Sequence, residues 1–190
     1  MLALLLAGLA VMLQGFDAPT FLLFALRWLH VLCGLFWVGL LYYFNLVQMP
    51  AMAAMPDALK PAITGHVAPR ALFWFRWSAM GTVLFGLALA WQNHYLLDAL
   101  TLDLSQGAAG WPVVPRSLAI GIGMWLGLIM GFNVWFVIWP AQRKILNLDR
   151  RDVAPADKAA AARTALVFSR INLALSLPML FSMVAAGHLY

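Results

Sequence analysis

Charge is what this chain has least of. Of its 190 residues 10% are charged, where an ordinary soluble domain carries about 25%. Hydrophobic residues make up 64%. A fold facing water cannot hide that much apolar surface, so lipid must solvate much of it. Carboxylates are missing from all four long apolar stretches described below. That disfavours a carboxylate-based proton pump, a two-metal hydrolase and most proton-coupled transporters. Cysteine is nearly absent. A single Cys33 permits no intrachain disulfide and no cysteine metal site, and it reads as a buried thiol. No Ser–His–acid set lies in the apolar stretches, and no glycine-rich phosphate loop occurs. The net charge is +5, but the basic residues gather in loops between apolar runs. That is a pattern of membrane topology and not of a nucleic-acid-binding face.

What is present reads as an all-α integral membrane protein. Four spans are expected at about 21–48, 72–97, 116–139 and 165–190, forming one four-helix bundle. The apolar segment 1–14 is too short to cross about 30 Å of hydrocarbon at about 1.5 Å per residue. It lacks the basic start and cleavage site of a signal peptide, so it reads as a short interfacial helix. Gly15 and Asp17-Ala18-Pro19 end it, and Thr20 is the expected cap of the first span. Pro50, Pro56, Pro61 and Pro69 mark the stretch 49–71 as a loop. Pro140 is expected to stop the third span, and Pro178 to kink the fourth.

Orientation follows from the loops. The margin of 49–71 holds Lys60, Arg70 and Arg76. The loop 141–164 holds Arg143, Lys144, Arg150, Arg151, Lys158 and Arg163. The loop between the second and third spans has two aspartates and no basic residue before Arg116. The positive-inside rule puts 49–71 and 141–164 in the cytoplasm and the C-terminus outside.

The spans have distinct faces. Ala119, Gly123, Gly127 and Gly131 recur every four residues, a ridge that lets another helix approach closely. In the first span Arg27, His30, Gly34, Trp37, Leu41, Asn45 and Gln48 share one side. In the fourth, Ser169, Asn172, Ser176, Met179 and Met183 do the same. Polar groups in lipid are costly, so both stripes should face the interior. Asn45, Asn133 and Asn172 fall in the cytoplasmic half, with Trp74 and Trp77 at the same level. Two readings stand: a polar, aromatic pocket open to the cytoplasm, or interhelical hydrogen bonds plus an aromatic belt.

His30 is the most informative residue, because a histidine so deep in a span calls for a task or a bonded neighbour. The tasks are haem ligation, proton relay or substrate contact. No second histidine lies at its depth. Met183 or Met124 could supply a sulfur ligand, or a second subunit could supply His30 again. His94 and His188 sit nearer the outer surface and form a weaker candidate pair for haem or metal.

Three segments carry a resemblance. The first span reads Arg27-Trp28-Leu29-His30-Val31, then Gly34, Trp37-Val38-Gly39 and Tyr43-Phe44. The third ends Asn133-Val134-Trp135-Phe136-Val137-Ile138-Trp139-Pro140-Ala141-Gln142-Arg143-Lys144. The fourth reads Ser169-Arg170-Ile171-Asn172, then Ser176-Leu177-Pro178-Met179-Leu180-Phe181, and ends Gly187-His188. Together they resemble a short form of the N-terminal membrane domain of the bacterial membrane-bound urate oxidase (urate hydroxylase) family, which passes electrons to a cytochrome c. The Leu-His-Val and Trp-x-Gly pattern is also similar to haem-binding membrane proteins of the protoporphyrinogen-oxidase and copper-resistance types. The resemblance implies a bacterial inner-membrane oxidoreductase or electron-transfer component. No Cys-x-x-Cys-His occurs, so covalent haem c is not expected and the cytochrome c would be a separate partner.

On this reading His30, Asn133 and Asn172 are the expected catalytic residues. His30, Met183, His188 and His94 are the expected ligands of a haem b, with no other metal site. Asn45, Trp74, Trp77, Trp139, Arg143 and Lys144 would shape the substrate pocket, the last two steering an anion toward it. The alternative is a non-enzymatic accessory or assembly subunit of a respiratory membrane complex. A transporter or channel is a third reading. Four spans would need a second copy to make a path, and a homodimer would also restore the helix count of the longer members of the resembled family. The expected partners are thus the lipid bilayer and either a second copy or the other subunits of a membrane complex.

Overall fold

A computed structural model describes residues 8, 15, 17–102, 116–149 and 153–189. The expected interfacial helix at 1–14 lies almost wholly outside these residues, as do Arg150 and Arg151. Every element is helical, and no strand occurs among the described residues. Four helices are long and apolar enough to cross a membrane: α1 (Ala18–Ala54), α2 (Asp57–Gln92), α4 (Arg116–Ile145) and α5 (Pro155–His188). A short α3 (Leu96–Leu100) sits between α2 and α4. The four long helices are consistent with a multi-pass membrane protein.

The helices run well past the ends expected from proline. The stretch 49–71 is almost entirely helical, and only Met55-Pro56, both extended, separates α1 from α2. Pro140 lies inside α4, which continues to Ile145. The device is the same each time. A π-helical segment stands just ahead of three X-Pro pairs: Tyr43–Gln48 before Met49-Pro50, Ile63–Val67 before Ala68-Pro69, and Asn133–Ile138 before Trp139-Pro140. In a helix, proline lacks its N–H and its ring strikes the carbonyl four residues back. The wider π turn moves that carbonyl aside. The N–H before each proline then reaches five residues back: Met49 to Phe44, Ala68 to Ile63 and Trp139 to Val134. α5 likewise runs through Pro178.

Other ends follow local chemistry. Asp17, and not Thr20, caps α1; its carboxylate accepts from the Thr20 backbone N–H at 3.3 Å. α2 stops at Gln92, short of the expected 97, in a Schellman turn. The Tyr95 N–H donates to the Ala90 carbonyl and the His94 N–H to the Trp91 carbonyl. His94 takes the left-handed position of that turn, with φ 60°. α4 ends in a matching turn around Asn147, φ 51°. α5 starts at Pro155, ten residues before the expected 165, where proline is pre-organised for a first turn.

Packing is closest within two helix pairs, α1 with α2 and α4 with α5. Between α1 and α2 there is little space. A Cβ on Gly81 would meet the Cys33 sulfur at 2.8 Å, and one on Gly86 the His30 ring at 2.8 Å. The ridge on α4 serves two neighbours. Gly123 faces Ser182 and Met183 of α5, Gly131 faces Val83 of α2, and Gly127 has nothing within 4 Å. A spacing of four residues drifts by about 40° per step at 3.6 residues per turn, so one ridge turns from one helix to the next. The main core joins all four helices through Trp37, Leu41, Phe75, Met130, Val134, Ile138 and Met179. The outer faces carry large apolar side chains, among them Leu35, Phe136 and Phe181 at 70%, 69% and 66% exposed. In water such faces would aggregate; in lipid they are solvated.

Candidate functional site

The stripes on α1 and α5 meet. Asn45 donates through Nδ2 to the Leu41 carbonyl and to Ser169 Oγ, both at 2.8 Å. Two turns along α5 from Ser169, Ser176 Oγ donates to the Leu173 carbonyl at 2.7 Å, so its one hydrogen is spent. Tyr42 must therefore be the donor in its 3.0 Å bond to Ser176 Oγ. On the other side of α5, Asn172 Nδ2 donates to the Met130 carbonyl at 3.0 Å. Asn172 Oδ1 accepts from Asn133 Nδ2 at 2.9 Å. A carbonyl can only accept, so the Met130 contact fixes the Asn172 amide, which in turn fixes that of Asn133. Asn172 and Ser176 are fully buried. The result is a polar seam of Ser169, Asn172 and Ser176 on α5, clasped by α1 on one flank and α4 on the other.

Three polar atoms in this interior have no hydrogen-bond partner among the described residues: Trp37 Nε1, Asn45 Oδ1 and Gln48 Oε1. All belong to α1. Asn45 and Gln48 lie in its π segment, and Asn133 opens the π segment of α4. π segments reshape a helix where side chains must be re-aimed, and often mark functional positions. A buried acceptor without a donor costs about 1–3 kcal/mol. The α1 side of the seam thus offers acceptor capacity toward N–H or O–H groups.

His30 stands apart from this seam, against α2. Its Nδ1 lies 2.8 Å from the Thr82 carbonyl and its ring packs against Gly86. The carbonyl accepts only, so Nδ1 carries the hydrogen and Nε2 holds the lone pair. That tautomer suits a metal ligand oriented by a backbone carbonyl, and equally a helix-pairing bond.

The remaining expected residues do not converge. Met183 packs against Gly123 of α4, whereas His30 packs against Gly86 of α2. His188 is exposed and bonds its own helix at Val184. His94 is exposed in the turn after α2. No group of three His, Cys, Asp or Glu residues able to hold a metal occurs among the described residues. Trp74 and Trp77 are 57% and 49% exposed, on the outer face of the bundle. Trp77 stacks edge-on with Trp135 at 5.3 Å. Trp139 lies under the Arg76 guanidinium at 3.9 Å. Arg143 is tied to Asp149 by two bonds of 3.1 and 2.6 Å, closing the turn after α4. Lys144 lines a cleft of about 340 Å³ between the end of α4 and the start of α5, with Pro140, Asp157 and Thr164.

Reading the sequence did not single out the unpartnered atoms or the Tyr42 donor. Helix periodicity placed Gln48 on the right stripe, but no pattern says which polar atoms find partners.

Comparison with known families separates the two halves of the chain. The family model described as urate oxidase N-terminal matches residues 111–189. The match takes in α4 and α5, and with them Asn133, Trp139, Arg143, Lys144, Asn172, Met183 and His188. It does not extend to α1 or α2, which carry His30, Asn45, Trp74 and Trp77. Comparisons with curated proteins and with solved structures find no match.

Proposed function

We propose that this chain is a membrane-embedded component of a urate-oxidase-type oxidoreductase, passing electrons from a small N–H-bearing reductant to a separate cytochrome c. The observation that carries the reading is the urate oxidase N-terminal match over α4 and α5, the helices that supply Asn133, Asn172, Ser169 and Ser176. The α1 flank adds the acceptor atoms of Asn45 and Gln48, which suit a reductant rich in N–H groups. Asn172 and Asn133 hold α4 and α5 in register, so in this reading they position the site. Lys144, beside its cleft, attracts an anion to the same end of the bundle.

His30 fits one end of a haem b. The Thr82 carbonyl holds its tautomer and leaves Nε2 able to bind iron. A bound haem would store single electrons on the way to the acceptor. The chain's own part is to fix that imidazole between α1 and α2. Basic residues near 49–71 and 141–164 favour a cytoplasmic location for both, in a bacterial inner membrane.

The test is a reduced-minus-oxidised spectrum of the detergent-purified protein, followed by urate-dependent reduction of added cytochrome c. Soret and α bands that vanish in His30→Ala, with urate-dependent turnover, are expected. The second reading, an accessory subunit of a respiratory complex, is favoured by the closed Asn133–Asn172 pair, which spends its polar groups on helix packing. A colourless protein that co-purifies with such a complex would establish it instead.

A further inference from the structure

Arg76 is a charge without a counter-charge among the described residues. It lies in α2, and the run 77–92 beyond it has no charged residue. Its guanidinium sits 3.9 Å over the Trp139 ring and 5.3 Å from the Phe73 ring. The ion pairs among the described residues are Lys60–Asp57 and Arg143–Asp149, and neither involves it. No described acceptor takes a hydrogen bond from its side chain; Arg76 enters the hydrogen-bond network only through its backbone carbonyl, which accepts from Trp135 Nε1 at 3.1 Å. The ring contact uses none of the five N–H donors of the guanidinium, which lie in its own plane as a fork. That fork matches two oxygens of a phosphate.

The surroundings say where the phosphate comes from. On the same helix Phe73, Trp74 and Trp77 are 44%, 57% and 49% exposed. These rings cluster where the charge-free run begins, as an aromatic belt does at the headgroup level. An arginine in such a belt that has no carboxylate finds its anion in the lipid.

We infer that Arg76, held over Trp139, is a binding site for the phosphate of a phospholipid headgroup at the junction of α2 and α4. The lipid then adds to the tie between α2 and the end of α4, which already holds the Trp135–Arg76 hydrogen bond and the Arg76–Trp139 and Trp77–Trp135 ring contacts. This inference is independent of the redox reading.

The test uses the full chain in a phosphate-free maltoside detergent. Thermal unfolding is followed with added phosphatidylglycerol, with diacylglycerol, or with inorganic phosphate. Phosphatidylglycerol should raise Tm by about 5 °C, and the other two should not. The shift should vanish in Arg76→Gln. Should that variant fail to fold, Arg76→Lys keeps the charge but loses the fork, and its lipid affinity should fall roughly tenfold. Native mass spectrometry should find a phospholipid retained by the wild type and absent from the variant. Equal shifts in wild type and Arg76→Gln would overturn the site. A shift with diacylglycerol would show that acyl chains, and not the phosphate, are bound. A shift with inorganic phosphate alone would overturn the lipid as the source.

Discussion

The two helix pairs solve the same packing problem in opposite ways. α4 and α5 are joined by polar groups that are spent: Asn133 on Asn172, and Asn172 on Met130. Their approach is less tight, because a Cβ on Gly123 would lie 3.2–3.3 Å from Ser182 Cβ and the Met183 side chain. α1 and α2 are joined by closer approach, with Gly81 on Cys33 and Gly86 on His30, and by the one His30–Thr82 hydrogen bond. Three polar atoms of α1 are left unspent among the described residues. The pair that matches a known family is the satisfied one. The difference teaches that one half of the bundle is a closed scaffold, while the other carries free hydrogen-bonding capacity. Buried capacity of that kind costs stability and is kept where it serves a ligand.

This contrast can be broken or sharpened by substitution, read as unfolding free energy in mixed detergent. The largest effect is expected at Gly86. A Cβ there strikes a ring that Thr82 holds in place, so Gly86→Ala should cost about 3 kcal/mol. Gly123→Ala meets only Met183 and Ser182 at 3.2–3.3 Å and should cost well under half as much. Equal costs would mean that the α1–α2 contact is as yielding as the α4–α5 one. Next comes Asn172→Leu, which strands the Met130 carbonyl and the Asn133 amide and should cost about 2 kcal/mol. Tyr42→Phe removes one interhelical bond from α1 to Ser176 and should cost about 0.6 kcal/mol. Gln48→Leu is the sharpest of the set despite the smallest effect on stability. Removing an unpaired acceptor should leave stability unchanged or raise it, while substrate-dependent electron transfer falls. A loss of stability there would mean that Gln48 is bonded and that the two pairs are alike.

Much of the fold was legible in the sequence. Four apolar runs without carboxylates require four long helices, because only a helix satisfies its own backbone in lipid. The stripes from Arg27 to Gln48 and from Ser169 to Met183 followed from helical periodicity; they meet at Asn45 and Ser169, while His30 turns to α2 and Met183 to α4. The proline rules misled at Pro50, Pro69 and Pro140. They describe an α-turn, and these helices insert a π turn just before the proline. The outward place of Trp74 and Trp77 was also out of reach. Aromatic rings suit a pocket and a lipid belt equally, and only rotation about the helix axis decides between them.

Composition and period by themselves determined the class of the molecule, the number of its long helices and the faces that carry polar groups. Those are properties of one helix at a time, set by backbone hydrogen bonding and the turn angle. Tertiary structure alone decided that His30 is tied to Thr82, that Asn172 bonds through both its oxygen and its nitrogen, and that Gln48 Oε1 lacks a donor and Arg76 a carboxylate among the described residues. Whether a polar group is spent depends on what a neighbouring helix brings within about 3 Å, and no single helix contains that information.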